Sequence, residues 1–200
     1  MNELWNSRYS EDGFAYGKKP NDYFKSEIEK LKPGKLLLPA EGQGRNAVFA
    51  ASLGWQVDAF DFSEVAREKA LMLAEEEHVT INYSVMSFEE FDPEPEIYDA
   101  AAIIFVHQPI ELREKLNAGI ISSLKPGGTL IIEVFDKDQL KYNSGGPKDE
   151  EQLSSLEEVY NDFSTFDIDN FSKEIITLVE GKYHQGQASV IRFTGKKPSL

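Results

Sequence analysis

The chain has 200 residues, of which 40% are hydrophobic and 28% are charged, a balance typical of one globular domain with a substantial core and not of a disordered chain. It contains no cysteine, which excludes disulfides, cysteine–zinc sites and thiol nucleophiles. Its net charge of −14 argues against a nucleic-acid partner, because such a protein needs a positive surface to displace counterions from phosphates.

The sequence contains no segment typical of a secreted or membrane protein. Its N-terminal stretch has no positively charged region followed by an apolar run. Its longest apolar stretches, such as 100–106, fall far short of the roughly 20 residues of a membrane helix. We therefore expect a cytoplasmic protein, either a monomer or a homodimer, that does not bind membranes.

After a polar N-terminal stretch, the hydrophobic pattern switches repeatedly between the periods of strands and helices. The elements predicted first are a buried strand at 35–40, a helix at 45–53, a strand at 55–61, a helix at 63–77 capped by Ser63, a strand at 80–85 and a strand at 99–106. The last of these is continuously apolar, as expected for a central parallel strand that is buried on both faces.

The later elements change in character. They are a helix at 110–124 ended by the sequence LKPGG, a strand at 129–135, a helix at 153–163 and strands at 174–180 and 187–194. A short connection containing Gly181 and Gly186 joins the last two strands into an antiparallel hairpin. The alternation predicts a single α/β domain over residues 1–200, with helices on both faces of a mostly parallel, seven-stranded sheet.

A glycine-rich turn, EGQGRNA, follows the first strand directly. Gly42 and Gly44 let the backbone approach a ligand closely, and the helix that follows offers free N–H groups to it. Asp61 ends the second strand, where a carboxylate accepts hydrogen bonds from a ribose diol. Because ligands of open α/β sheets bind at the carboxyl ends of the strands, these features predict a nucleoside-bearing ligand at the first strand.

The turn alone does not decide which ligand binds. With Ala47 it satisfies the dinucleotide pattern G-x-G-x-x-A, so an NAD(P)- or flavin-dependent oxidoreductase stays open, as does a turn that only packs helix against strand. The lack of a second substrate domain and the closing antiparallel hairpin favour a methyl donor over a dinucleotide.

Three segments carry a resemblance to a known family. WNSRYSEDGFAYGKKPNDYF resembles the W-x-x-R-Y and Y-G-x-x-P-N signature of class I S-adenosylmethionine-dependent methyltransferases, in their tellurite-resistance and thiopurine methyltransferase-like branch. LLLPAEGQGRNAVFAASLGWQVDAFDFS resembles the first two motifs of that branch, and LKPGGTLIIEVF resembles its later strand. The resemblance covers nearly the whole chain and implies an enzyme with a Rossmann-like methyltransferase fold that uses S-adenosylmethionine and releases S-adenosylhomocysteine.

The resemblance has one departure and implies a set of donor contacts. The branch often reads L-D-x-G-C-G-x-G-R-N, whereas here Leu38, Pro39 and Ala40 precede Glu41, so Glu41 supplies the nearest carboxylate. Residues 1–30 are expected to cover the cofactor, with Arg8 pairing with its carboxylate or capping a helix. The implied donor-binding residues are Arg8, Tyr16, Glu41, Gly42, Gly44, Asn46, Asp61, Phe62, Ser63, Met86, Ser87, Phe88, Phe105 and Val106.

The methyl acceptor is expected to be a small molecule, such as a thiol or a chalcogen oxyanion. A hydroxyl acceptor needs proton removal, for which His107 and Tyr142 are the candidates; His107 alternatively only shapes the pocket. Residues 136–152 are a candidate substrate-side loop, in which 141–148 is a lid or a plain connector. His78 and His184 receive no role.

No cluster of Asp, Glu and His has convincing metal-ligand spacing, so no metal is expected. The alternatives that stay open are an NAD(P)-binding oxidoreductase and a non-catalytic protein that binds S-adenosylmethionine.

Overall fold

A computed structural model describes residues 2–199 of the chain, with side chains from residue 4 onward. The helices are α1 (Asn2–Ser10), α2 (Asp22–Ile28), α3 (Arg45–Ser52), α4 (Glu64–Glu76), α5 (Ile110–Ser123) and α6 (Leu156–Phe163). The strands are β1 (Lys35–Pro39), β2 (Gln56–Asp61), β3 (Asn82–Val85), β4 (Tyr98–Ile104), β5 (Leu124–Phe135), β6 (Asp167–Glu180) and β7 (His184–Lys196). Within this described part, none of the helices combines the length and the apolarity needed to span a bilayer.

The strands form one seven-stranded sheet in the spatial order β3-β2-β1-β4-β5-β7-β6. Strands β1 to β5 pair in parallel, and β7 runs antiparallel between β5 and β6. The prediction of a mostly parallel α/β sheet closed by an antiparallel hairpin is therefore confirmed.

The period of two along β1 explains why helices cover both faces of the sheet. Leu36 and Leu38 point to one face and pack in a cluster that includes Leu73 of α4. Leu37 points to the other face and packs in a cluster that includes Leu116 of α5. Burying a leucine of this kind stabilises the fold by roughly 1.5–3 kcal/mol, so the central strands anchor the site that lies at their ends.

The N-terminal segment differs from its sequence prediction, since the structure has α1 and α2 where only a polar stretch is predicted. Helix α1 has almost no amphipathic pattern, so its sequence carries no helical period to detect. Its stability comes instead from tertiary contacts. Tyr9 packs against Ala66 of α4, and the Trp5 ring stacks on Tyr9 with 5.7 Å between ring centroids.

Several strand boundaries also differ, and β6 begins at Asp167 instead of at the predicted residue 174. In β5, Leu124 pairs with Tyr98 before the register shifts and Thr129 pairs with Ala100, so LKPGG forms a bulge inside the strand pairing. In the hairpin, Gly186 pairs with Leu178 within the strands and does not lie in the connection. The residues by which these strands are longer than predicted are largely polar or exposed. The alternation of apolar and polar residues that marks a strand is therefore not visible at these ends.

Helix α6 begins at a capping box, and the loss of this cap is expected to lower stability. The Ser155 Oγ accepts a hydrogen bond from the Glu158 N–H (3.2 Å), and the Glu158 Oε2 accepts one from the Ser155 N–H (2.7 Å). The variant Ser155→Ala is expected to lower the free energy of unfolding by about 1 kcal/mol, measured by urea denaturation. Ser52→Ala, at the exposed end of α3, is the control; an equal loss there would contradict the cap.

Candidate active site

Two adjoining cavities lie at the carboxyl ends of β1, β2 and β4, the edge at which open α/β sheets bind ligands. Cavity 1, of about 310 Å³, is bounded by α1, the turn after β1, the end of β5 and the start of β7. Cavity 2, of about 300 Å³, lies beside the ends of β2 and β3. The residues that line both cavities are Trp5, Tyr9, Ala40, Phe105 and His107.

Most of the residues predicted for the site border one of these cavities. Those that line cavity 1 are Arg8, Tyr16, Glu41, Gly42, Asn46, Phe105 and His107. Those that line cavity 2 are Asp61, Phe62, Met86, Ser87, Phe88, Phe105, Val106 and His107. The predicted residues that line neither cavity are Gly44, Ser63 and Tyr142.

Gly44 faces a helix and not a cavity, which differs from its predicted place in the donor site. Its backbone has φ +85°, and a Cβ at this position would lie 2.6 Å from the Cβ of Ala70 in α4. Ser63 likewise has a structural contact, since its Oγ accepts from the Ala66 N–H at 3.2 Å and so caps α4. The turn therefore needs Gly44 for close packing of α4 against the start of α3.

Tyr142 also lies away from its predicted catalytic position. The part of its loop that reaches cavity 1 is 146–148. Tyr142 itself contributes a carbonyl that accepts from the Lys148 Nζ at 3.0 Å. The loop packs tightly there, because a Cβ on Gly145 would lie 2.6 Å from the His184 ring. Residues 146–148 thus form a wall of cavity 1.

Glu41 occupies the helix donors that the sequence analysis assigns to a ligand. Its Oε1 accepts from the backbone N–H groups of Asn46 (2.7 Å) and Ala47 (2.8 Å), so it caps the start of α3 from inside the turn. Burial raises the pKa of Glu41 to about 7, although the hydrogen bonds from Ala47 and Asn46 act in the opposite direction. The carboxyl group of Glu41 is thus a structural cap that borders cavity 1.

Asp61 ties the glycine turn to the end of β2. Its Oδ2 accepts from the Gly42 N–H at 3.2 Å, and its Oδ1 accepts from the Ser63 N–H at 3.0 Å. Burial raises the pKa of Asp61 to about 6, against the effect of these bonds. Because each carboxylate oxygen has a second lone pair, Asp61 can still accept hydrogen bonds from a ligand in cavity 2.

Arg8 places a positive charge on the wall of cavity 1. Its Nη1 donates to the Tyr16 hydroxyl at 2.7 Å, and its guanidinium lies 4.8 Å from the Trp5 ring centroid and 4.2 Å from that of Tyr183. Among the side chains of residues 4–199, no carboxylate pairs with it within 4 Å. The guanidinium keeps donors for an anionic group of a ligand.

His107 lies between the two cavities in an apolar setting. Its ring stacks on Phe135 with 5.2 Å between centroids, and both ring nitrogens are buried without a hydrogen-bond partner in the described part of the chain. Burial, and to a lesser extent His184, lower the pKa of His107 to about 3. An imidazole with so low a pKa is neutral at pH 7 and a weak proton acceptor.

His184 is a site residue to which the sequence analysis gives no role. It is buried at the start of β7, lines cavity 1, and its Nδ1 lies 2.9 Å from the Glu180 Oε2. Glu180 pairs with His184 in the observed register of the hairpin. A correct prediction of that register would therefore have placed these two side chains next to each other. Trp5 and Tyr9, which belong to the W-x-x-R-Y pattern, also line both cavities, and Tyr183 lies against the Arg8 guanidinium. Among the side chains of residues 4–199, no group of acidic and histidine residues could hold a metal ion.

A family model described as "Methyltransferase domain" matches residues 39–128, a little under half of the chain. The matched segment runs from the end of β1 into β5 and includes Asp61 and Phe105. Among curated proteins, the chain is similar to the ubiquinone biosynthesis O-methyltransferase of Rickettsia conorii, with 28% identity over 141 residues. This match covers 70% of the chain and 47% of that relative, so the chain spans about half the length of the relative.

Solved structures share the fold. TehB from Haemophilus influenzae has a TM-score of 0.75 and 15% identity, with 89% of this chain and 62% of that chain covered. A SAM-dependent methyltransferase from Methanosarcina mazei has a TM-score of 0.69 and 15% identity, with 91% and 100% covered. The predicted resemblance to class I methyltransferases is confirmed by the domain match and by this shared fold.

Proposed function

We propose that this chain, a methyltransferase by its domain match and its fold, transfers the methyl group of S-adenosylmethionine to a small-molecule acceptor. The observation that carries the proposal is the meeting of cavities 1 and 2 at Ala40, with Asp61 on one side and Arg8 on the other. This layout suits an elongated ligand with a nucleoside at one end and an amino acid at the other.

The chain contributes binding groups at each end of the proposed donor site. Asp61 would accept hydrogen bonds from the ribose hydroxyls, while Phe62 and Phe88 would lie against the adenine in cavity 2. Arg8 would pair with the donor carboxylate in cavity 1. The donor supplies an electrophilic methyl group on a sulfonium, so the protein mainly binds, aligns and excludes water from the reactants.

Cavity 1 extends beyond the turn and leaves room for an acceptor. It continues from Gly42 to Phe135, His184 and the loop residues Pro147 and Lys148. A protein that only bound the donor would not need this extension, which favours an enzyme over the non-catalytic alternative. We propose that the loop at 141–148 covers the acceptor, and the O-methyltransferase names of the curated relatives favour a hydroxyl acceptor.

The N-terminus of α3 is already occupied by a side chain of the protein, which disfavours the dinucleotide alternative. Dinucleotide-binding folds place a pyrophosphate on the free N–H groups at the start of this helix. Here the Glu41 carboxyl accepts from the N–H groups of Asn46 and Ala47 and occupies that position. A pyrophosphate would have to displace a buried acidic side chain, whereas S-adenosylmethionine carries no phosphate.

Methyl transfer tests the proposed activity directly. With labelled S-adenosylmethionine, the protein is expected to methylate at least one of three acceptor classes, namely phenols, thiols and chalcogen oxyanions, and S-adenosylhomocysteine is expected to inhibit the transfer. Donor binding without transfer to any acceptor would favour a non-catalytic protein. An absence of both donor binding and methyl transfer would contradict the proposal.

Arg8 makes a prediction about affinity. The variant Arg8→Met keeps an apolar stem near Trp5 but removes the charge, so it is expected to weaken S-adenosylhomocysteine binding about tenfold. Calorimetric titration measures this change. Lys30→Met, which removes a surface cation of the α2 region bonded to Glu27, is the control and is expected to keep the wild-type affinity. Equal affinities of all three proteins would show that Arg8 does not contact the donor.

A further inference from the structure

An ionic network on the far side of cavity 1 is not used by the proposed donor site. Glu180, at the end of β6, receives a hydrogen bond from Arg45 Nη2 at 3.1 Å and another from Asn21 Nδ2 at 3.1 Å. The same carboxylate contacts His184 Nδ1 at 2.9 Å. These contacts join α3, the N-terminal segment and both strands of the hairpin, so the position of the His184 ring is fixed from several sides.

The bond to Glu180 determines which nitrogen of His184 is available. Burial alone would raise the pKa of Glu180, but the hydrogen bond with His184 and the charge of Arg45 lower it to about 2, so the carboxylate is ionised at neutral pH. An ionised carboxylate only accepts hydrogen bonds, so His184 donates through Nδ1–H and holds a lone pair on Nε2. Burial lowers the pKa of His184 against the effect of Glu180, so the imidazole is neutral at pH 7 and its Nε2 carries no proton.

The surroundings of His184 are aromatic. Its ring centroid lies 4.4 Å from that of Tyr16, 4.7 Å from that of Phe105 and 5.4 Å from that of Phe135. His107 stacks on Phe135 and extends the same wall. A flat aromatic ring can pack against such surfaces, whereas a small hydrated oxyanion gains little from them.

We propose, on the basis of the proposed function, that cavity 1 takes an aryl hydroxyl as methyl acceptor and that His184 is the general base for it, with Glu180 as a positioning residue. The base is therefore His184, on the hairpin, and neither His107 nor Tyr142. His107 differs from it because neither of its ring nitrogens has a carboxylate partner in the described part of the chain.

The proposed step is balanced without a further reactant. The acceptor hydroxyl gives its proton to His184 Nε2 while its oxygen forms a bond to the methyl carbon, and the carbon–sulfur bond breaks, which yields an aryl methyl ether and S-adenosylhomocysteine. Glu180 stabilises the imidazolium that forms, and the proton later passes to solvent. Proton transfer to a positioned histidine typically contributes 10²–10⁴-fold to a rate.

Matched oxygen and sulfur acceptors test this base. A phenol needs proton removal, whereas the thiophenol of the same shape is largely ionised at pH 8 and needs none. With His184→Gln, kcat for the phenol is expected to fall by about 100-fold or more, with kcat for the thiophenol within about threefold of wild type. Glu180→Gln is expected to lower phenol transfer about tenfold with the same selectivity. His78→Asn, at an exposed histidine, is the control and is expected to leave both rates unchanged.

The affinity for S-adenosylhomocysteine, measured for every variant, shows that each is folded. Either of two results would overturn the role of His184. One is a loss of kcat that is equal for phenol and thiophenol. The other is a phenol rate that is unchanged in both His184→Gln and Glu180→Gln. Wild-type protein that binds S-adenosylhomocysteine but methylates neither aryl acceptor would overturn the aryl-acceptor inference and leave the donor proposal intact. Absence of S-adenosylhomocysteine binding would overturn the proposed function itself, and this inference with it.

Discussion

The variant Gly44→Ala is expected to lower the free energy of unfolding by about 2–5 kcal/mol. Two costs add at this position. The backbone has φ +85°, where a Cβ costs roughly 1–2 kcal/mol. The new methyl group would also lie 2.6 Å from the Ala70 Cβ and 2.9 Å from its Cα, and overpacking of this kind typically costs 1–3 kcal/mol. Urea denaturation measures the loss.

Gly13→Ala separates these two costs. Gly13 has φ +80°, and a Cβ there would meet nothing within 4 Å, so this variant bears the backbone cost alone. We expect Gly13→Ala to lose about 1–2 kcal/mol and Gly44→Ala clearly more. Equal losses in the two variants would show that the α3–α4 contact at Gly44 is not tight. A direct ligand contact by Gly44 would instead appear as weakened donor binding in a variant of unchanged stability.

Glu41→Gln is expected to change how stability depends on pH. The pKa of Glu41 is raised by burial from an ordinary value of 4.5 to about 7, so the folded state holds a proton that the unfolded state has already released. Between these pKa values the wild-type protein loses stability as pH rises, by about 1.4 kcal/mol for each pH unit. The glutamine variant does not titrate at this position.

Relative to wild type, Glu41→Gln should therefore gain roughly 2 kcal/mol of unfolding free energy between pH 5.5 and pH 8. Asp61, whose pKa burial raises to about 6, contributes in the same direction in both proteins and cancels in the comparison. Urea denaturation at the two pH values gives the difference. Glu89→Gln, at an exposed side chain, is the control. A stability difference that is the same at both pH values would show that Glu41 is ionised in the folded protein.

The parts of the fold that were predictable are those with a strong local signal. The buried strand at 99–106 is continuously apolar, and Ser63 precedes a helix whose first turn carries Glu64, so β4 and the cap of α4 follow from short-range chemistry. The alternation of strands and helices was enough to predict the parallel sheet and its closing hairpin. These features depend on periods and caps, which a sequence displays directly.

The parts that were missed depend on contacts between distant elements. Helix α1 has no helical period, and what stabilises it is the packing of Tyr9 on Ala66. The assignment of free N–H groups to a ligand at α3 was incomplete, because the turn conformation brings the Glu41 carboxyl onto them. The importance of His184 depends on the hairpin register and on the loop that packs against its ring.

Calorimetric titration of the wild-type protein is the most direct test of a methyl-donor site in the paired cavities around the turn after β1. S-adenosylhomocysteine and S-adenosylmethionine are each expected to bind once per chain, with NAD giving no measurable heat. Arg8→Met should weaken both adenosyl ligands in parallel, since both carry the carboxylate that Arg8 would hold. Binding of NAD with no response to either adenosyl ligand would show that these cavities do not form a methyl-donor site.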